Sequence, residues 1–180
     1  MKKIVIFIFV FLLIITSFSA EFSIFFTNDT HGRVLAAKDR NEMKGGAAYL
    51  SSLYKKLKEK NKDNILVDAG DIFDGAYIND NFKGEPQIKV MNAMGYDIYV
   101  PGNHDFSFGL DVLKDYTEKA SFQTLCTNLV DNSTYSSYFK PYIIKDILGL
   151  KVGFIGLILE KTKNTFDYKI KKKIDILDPL

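Results

Sequence analysis

"MNAMGYDIYVPGNHDFSFGLDVLKDY", residues 91–116, is the stretch that decides the fold. It begins inside a helix-like pattern, "GEPQIKVMNAMG", where Pro86 suits the first turn and Gly95 the end. "DIYVPGN" then reads as a strand, and "FGLDVLKDYTEKA" as a further helix. Helix, strand and helix in close succession point to an α/β architecture with a mostly parallel sheet. Between the strand and the second helix sits "PGNHDFSFG", which places His104 between Asn103 and Asp105. The chain has only two histidines, so their placement is informative.

The same alternation extends outward. "FSIFFTN" (22–28) is a strand candidate rich in aromatic and β-branched residues, ending in a polar turn. "GGAAYLSSLYKKLKEKN" carries Leu50, Leu53, Tyr54 and Leu57 at helical spacing, with lysines on the other face. "NILVDAGD" (64–71) reads as the next strand and "FQTLCTNLV" (122–130) as a single buried strand holding Cys126, a packed core thiol. "KPYIIKDILGLKVGFIGLIL" reads as two strands around a turn near Leu148 and Gly149. The lysine-rich tail from Glu160 reads as a solvated connection with a short strand.

The 180 residues suit one domain after an amino-terminal leader. "MKK", an apolar run from Ile4 to Ile15 and "TSFSA" describe a secretory signal peptide over residues 1–20, cut after Ala20 or after Ser19. The run is short for a membrane span, so no stable span is expected after cleavage. Export to a periplasm, the cell surface or the medium follows. Without Lys2 and Lys3 the chain holds 22 basic and 22 acidic residues, which gives no global basic field for a nucleic-acid polymer. A single cysteine permits no internal disulfide.

Ligands of open α/β sheets bind at the carboxyl ends of the strands. Three polar clusters fall there: Asp29 and His31, then Asp71 and Asp74, then Asn103, His104 and Asp105. Adjacent loops would gather them on one edge of the sheet. Such a mixture of carboxylate, imidazole and amide ligands suits divalent zinc, manganese or iron.

"NDTHG", "DAGD" and "PGNHD" resemble the first three signatures of the calcineurin-like metallophosphoesterases. More narrowly they resemble the amino-terminal catalytic part of the exported 5'-nucleotidase and 2',3'-cyclic-nucleotide phosphodiesterase family. "KGGAAYLSSL", "MNAMGYDIYVPGNHDFSFG" and "KPYIIKDILGLKVGFIGL" continue the likeness. The resemblance implies a metallophosphatase-like sheet sandwich with flanking helices over residues 21–180, incomplete at its carboxyl end. It implies two divalent metal ions, with Asp29 and His31 on the first, Asp71 bridging and Asn103 on the second. His104 would be the catalytic residue beside the phosphate of a nucleotide or other phosphoester. A water activated between the two cations would then displace the leaving oxygen in line.

Two departures stand out. The family commonly pairs its catalytic histidine with an aspartate at the place occupied here by Ser107. Either Asp105 or another group substitutes, or His104 works as a neutral donor. The family's later metal-binding motifs have no counterpart in these residues. The isolated chain is therefore expected to turn over weakly, as the front of a longer enzyme, as an inactive secreted remnant, or as a module completed by a separate chain.

Overall fold

The computed structural model describes residues 21–179, and the expected leader lies outside them. In chain order the elements are β1 (Ser23–Thr27), the small strands β2 (Ala37–Asp39) and β3 (Glu42–Lys44), and α1 (Ala47–Lys60). β4 (Asn64–Asp68), α2 (Tyr77–Asn81), α3 (Glu85–Met94), β5 (Ile98–Tyr99) and α4 (Leu110–Lys119) follow. The remainder holds β6 (Gln123–Thr124), β7 (Leu129–Asp131), β8 (Tyr142–Ile147), β9 (Leu150–Ile155), α5 (Tyr168–Lys173) and β10 (Ile174–Ile176). The β2–β3 hairpin and α2 have no clear apolar period and escape sequence reading.

A parallel sheet in the order β1-β4-β5-β6 forms the centre, each neighbour reached through a helical crossover. The register pairs Ser23 with Asn64, Val67 with Ile98, and Ile98 with Gln123, which brings the carboxyl ends of β1, β4 and β5 level. Successive side chains of β4 divide between two cores, as the strand pleat requires. Leu66 joins Tyr54, Met91, Tyr99 and Leu113 under the helices, while Ile65 joins Ile98, Leu125 and Ile147 beneath the β8–β9 hairpin. The sheet therefore has helices on one face and an antiparallel hairpin on the other, the expected sandwich. Fully buried side chains such as Met91 and Leu113 each contribute on the order of 2 kcal/mol of burial.

Local chemistry explains the boundaries. α3 begins with Pro86 in its first turn and ends where Gly95 turns left-handed at φ 76°. The backbone N–H groups of Gly95 and Tyr96 then close on the carbonyl of Met91. α5 is capped by Asp167, whose carboxylate accepts the Ile170 N–H at 2.8 Å.

"FQTLCTNLV" is not one strand. It breaks between β6 and β7, because the chain leaves the parallel sheet after Leu125 to pair elsewhere. The Leu125 N–H still donates to Tyr99, but those of Cys126 and Thr127 turn to Lys140 and Gly156. Buried Asn128 fixes the break: its amide donates to the carbonyls of Ile158 and Leu177 and accepts the Ile158 N–H. Cys126 is buried as expected, and burial pushes its thiol up to about 11, which keeps it unreactive. The tail is less solvated than its lysines suggest. β10 pairs antiparallel with β7, and Ile170, Ile174 and Ile176 are buried. No helix among the described residues is long and apolar enough to cross a membrane.

Candidate metal centre

Three loops leave the carboxyl ends of β1, β4 and β5, and their backbones are laced together. The first loop hangs on the second. The N–H groups of Asp29, His31 and Gly32 donate to the carbonyls of Gly70, Asp71 and Ile72 at 2.9, 3.0 and 2.9 Å. The third clamps the second through one side chain, Asp105, which is completely buried. Its carboxylate accepts N–H groups from Asp71 (2.9 Å), Ile72 (2.8 Å), Phe73 (3.0 Å) and Gly102 (2.7 Å). Burial pushes the Asp105 carboxyl above its ordinary range, while the N–H groups of Gly102, Phe73 and Ile72 pull the other way. The His104 N–H completes the lacing by donating to the Asp71 carboxylate at 2.8 Å. Gly102 is required at this crossing, since a Cβ there would land on the Asp71 side chain.

The lacing holds an unusual backbone. Asp29, His31, Asp71 and Asp74 have φ of 53°, 46°, 56° and 44°, the left-handed region that non-glycine residues avoid. Each costs on the order of 1 kcal/mol, and such conformations persist where the surroundings over-determine them. Here they turn four polar side chains toward one another.

One donor atom from each of Asp29, His31 and Asp71 lies within 4.8 Å of the others, a group that could hold a metal ion. His31 Nε2 stands 3.9 Å from an Asp29 oxygen, and the Asn28 amide donates to the other Asp29 oxygen. Asn103 is exposed, at the start of the 3-10 turn His104–Phe106, one residue before His104. The two imidazoles meet edge to face, with centroids 4.7 Å apart. The three loops thus unite Asp29, His31 and Asp71, set His104 against His31, and leave Asn103 on the rim.

The partner of His104 is neither Asp105 nor Ser107. Asp105 is turned inward to the backbone, and Ser107 donates its hydroxyl to Asp74 at 2.5 Å. Asp74 itself receives His104 Nδ1 at 3.0 Å and His31 Nδ1 at 3.4 Å. The hydrogen bond to Asp74 raises the His104 imidazole above its ordinary value, with burial working against it. Burial would raise the Asp74 carboxyl, but bonds from Ser107 and His104 hold it below the usual range. In the sequence Asp74 is merely the last acid of "GDIFDG", and the sign of its φ decides where it points.

With this geometry in view, likeness to known proteins becomes specific. The family model described as calcineurin-like phosphoesterase matches residues 22–174. The chain belongs to the calcineurin-like phosphoesterases. It is 31% identical over 160 residues to a 5'-nucleotidase of Vibrio parahaemolyticus, covering 88% of this chain and 29% of that protein. It is 34% identical over 138 residues to a 2',3'-cyclic-nucleotide 2'-phosphodiesterase/3'-nucleotidase of Haemophilus influenzae, covering 67% and 21%. The crystal structure of the calcineurin-like phosphoesterase YfkN from Bacillus subtilis superposes with a TM-score of 0.75 at 26% identity, covering 87% of this chain and 54% of that one. This calcineurin-like phosphoesterase thus spans less than a third of those two nucleotidase and phosphodiesterase relatives. Its polar loops lie within the matched region.

Proposed function

We propose that the chain carries a divalent-metal site for hydrolysis of nucleotide phosphoesters, in an exported protein. One observation carries the reading: Asp29, His31 and Asp71 present two carboxylates and an imidazole within 4.8 Å, at the ends of neighbouring parallel strands. Hard oxygen donors with one nitrogen donor fit zinc, manganese or iron. Asp29 and His31 would hold one cation, Asp71 would be shared, and Asn103 would contribute to a second. Bound cations of this kind supply Lewis acidity toward a phosphoryl oxygen and lower the pKa of a bound water.

The chain's own residues do the rest. His104 rests Nδ1 on Asp74, so Nε2 is left for the phosphoester. Half-exposed beside the cluster, its imidazolium form, protonated on both nitrogens, would donate from Nε2 a hydrogen bond to a phosphoryl oxygen or a proton to the departing alkoxide. The Asp71 carboxylate already accepts the His104 N–H, so ligand and acid share one backbone frame.

The test is phosphate release from a nucleoside monophosphate and a 2',3'-cyclic nucleotide by purified chain, with and without added manganese or zinc. Weak, metal-dependent turnover abolished by Asp71→Asn is expected, together with loss of cation binding by calorimetry. A chain that binds no divalent cation at micromolar concentrations refutes the proposal.

A further inference from the structure

Asp74 lies at the centre of the polar group, yet the ligand set just described gives it no role. Its two oxygens divide their contacts. Oδ1 faces His31 Nδ1 at 3.4 Å, and Oδ2 faces His104 Nδ1 at 3.0 Å and the Ser107 hydroxyl at 2.5 Å. An ionised carboxylate only accepts hydrogen bonds, so each ring nitrogen facing it must carry the proton. Neutral His31 and His104 are then both fixed as the Nδ1–H tautomer, with the Nε2 lone pair exposed. For His31 that lone pair points to the side of Asp29, whose oxygen is 3.9 Å away. For His104 it belongs to the ring edge opposite Asp74, on a side chain 45% exposed and open to a substrate.

We propose that Asp74 is a positioning residue for both histidines at once, one carboxylate orienting the metal-side imidazole with Oδ1 and the substrate-side imidazole with Oδ2. Ser107 steadies the arrangement by donating to Oδ2, so a hydroxyl at that place supports the carboxylate instead of replacing it. The left-handed backbone at Asp74, φ 44°, gives the side chain its inward direction. Gly75 follows, also left-handed and packed against His31. A carboxylate behind a metal-ligating histidine fixes its tautomer and raises its basicity, an effect worth roughly 10- to 100-fold in metal affinity or activity. Here the same group would also hold the acid that meets the substrate.

The inference rests on the metal reading of the site, but its test does not need turnover. Long-range proton–nitrogen correlation spectra of isotope-labelled, metal-free chain, recorded where both rings are neutral, report each tautomer directly. Both histidines are expected as Nδ1–H in the unaltered chain, a result that needs no variant to fold. Asp74→Asn offers one acceptor and one donor, so the two rings should split, one keeping Nδ1–H and the other moving to Nε2–H. Zinc added to the unaltered chain should shift His31 Nε2, with affinity falling roughly 10- to 100-fold in Asp74→Asn. Two Nε2–H rings in the unaltered chain, or a variant with both tautomers unchanged, overturn the proposal. Zinc binding at the Nδ1 atoms also overturns it, by making Asp74 a ligand. Loss of zinc binding with the tautomers as expected would sink the metal reading alone.

Discussion

Replacing Asp105 by asparagine should cost the protein about as much as a large core cavity, although the shape hardly changes. In the folded chain four backbone N–H groups, from Asp71, Ile72, Phe73 and Gly102, converge on one carboxylate that solvent never reaches. Asparagine offers a single oxygen. Turned toward Ile72 and Phe73, it presents its own N–H groups to those of Asp71 and Gly102. Two part-buried donors then lose their acceptor, at about 2 kcal/mol each, for a total of about 4 kcal/mol. Domains of this size are stable by roughly 5–15 kcal/mol, so the variant should stay folded but be visibly weakened. Urea unfolding followed by circular dichroism, on metal-free wild type and Asp105→Asn at neutral pH, measures the difference. A loss under about 1 kcal/mol with an unchanged slope would show that the loops are held by something else.

Asp68 gives the pH dependence. Burial pushes its carboxyl from 3.8 to about 7, partly opposed by bonds from the Thr27 hydroxyl and the Gly70 N–H. A folded value above the unfolded one stabilises the protein fully only in acid, and the contribution is lost as pH rises through the folded value. Metal-free protein should therefore lose up to roughly 4 kcal/mol from this group between about pH 4 and 7. Asp68→Asn should flatten that slope in urea midpoints, and an equal slope in the two proteins would refute the assignment. Asp29→Gly, at an exposed position with φ 53°, should raise stability by about 1 kcal/mol while weakening cation binding. Calorimetry with zinc beside thermal unfolding checks both halves of that statement.

How much of this could be read beforehand depended on the range of the interactions. The alternation of strands and helices was legible because Leu66, Met91 and Leu113 follow the periods their elements need. Pro86 and Gly95 marked α3 because their backbone preferences are local. The clustering of Asp29, His31 and Asp71 could be anticipated because parallel strands place their carboxyl ends together. What Asp74 and Asp105 do was not legible. Both are acids in polar loops, and one faces the histidines while the other turns into the protein. That choice is made by φ at Asp74 and, for Asp105, by three N–H groups of the neighbouring loop beside that of Gly102, which no single stretch records. The break in "FQTLCTNLV" was missed for the same reason, since Asn128 acts through Ile158 and Leu177, far along the chain.

The left-handed turn at four of the polar positions has a consequence for how such a protein ages. Glycine relaxes each of them, so the changes that most easily make the chain sturdier are the ones that strip it of its clustered polar side chains. Any selection that keeps those side chains together must continually push against that slope. A lineage released from that selection would keep its sheet and drift downhill toward a tougher, plainer protein.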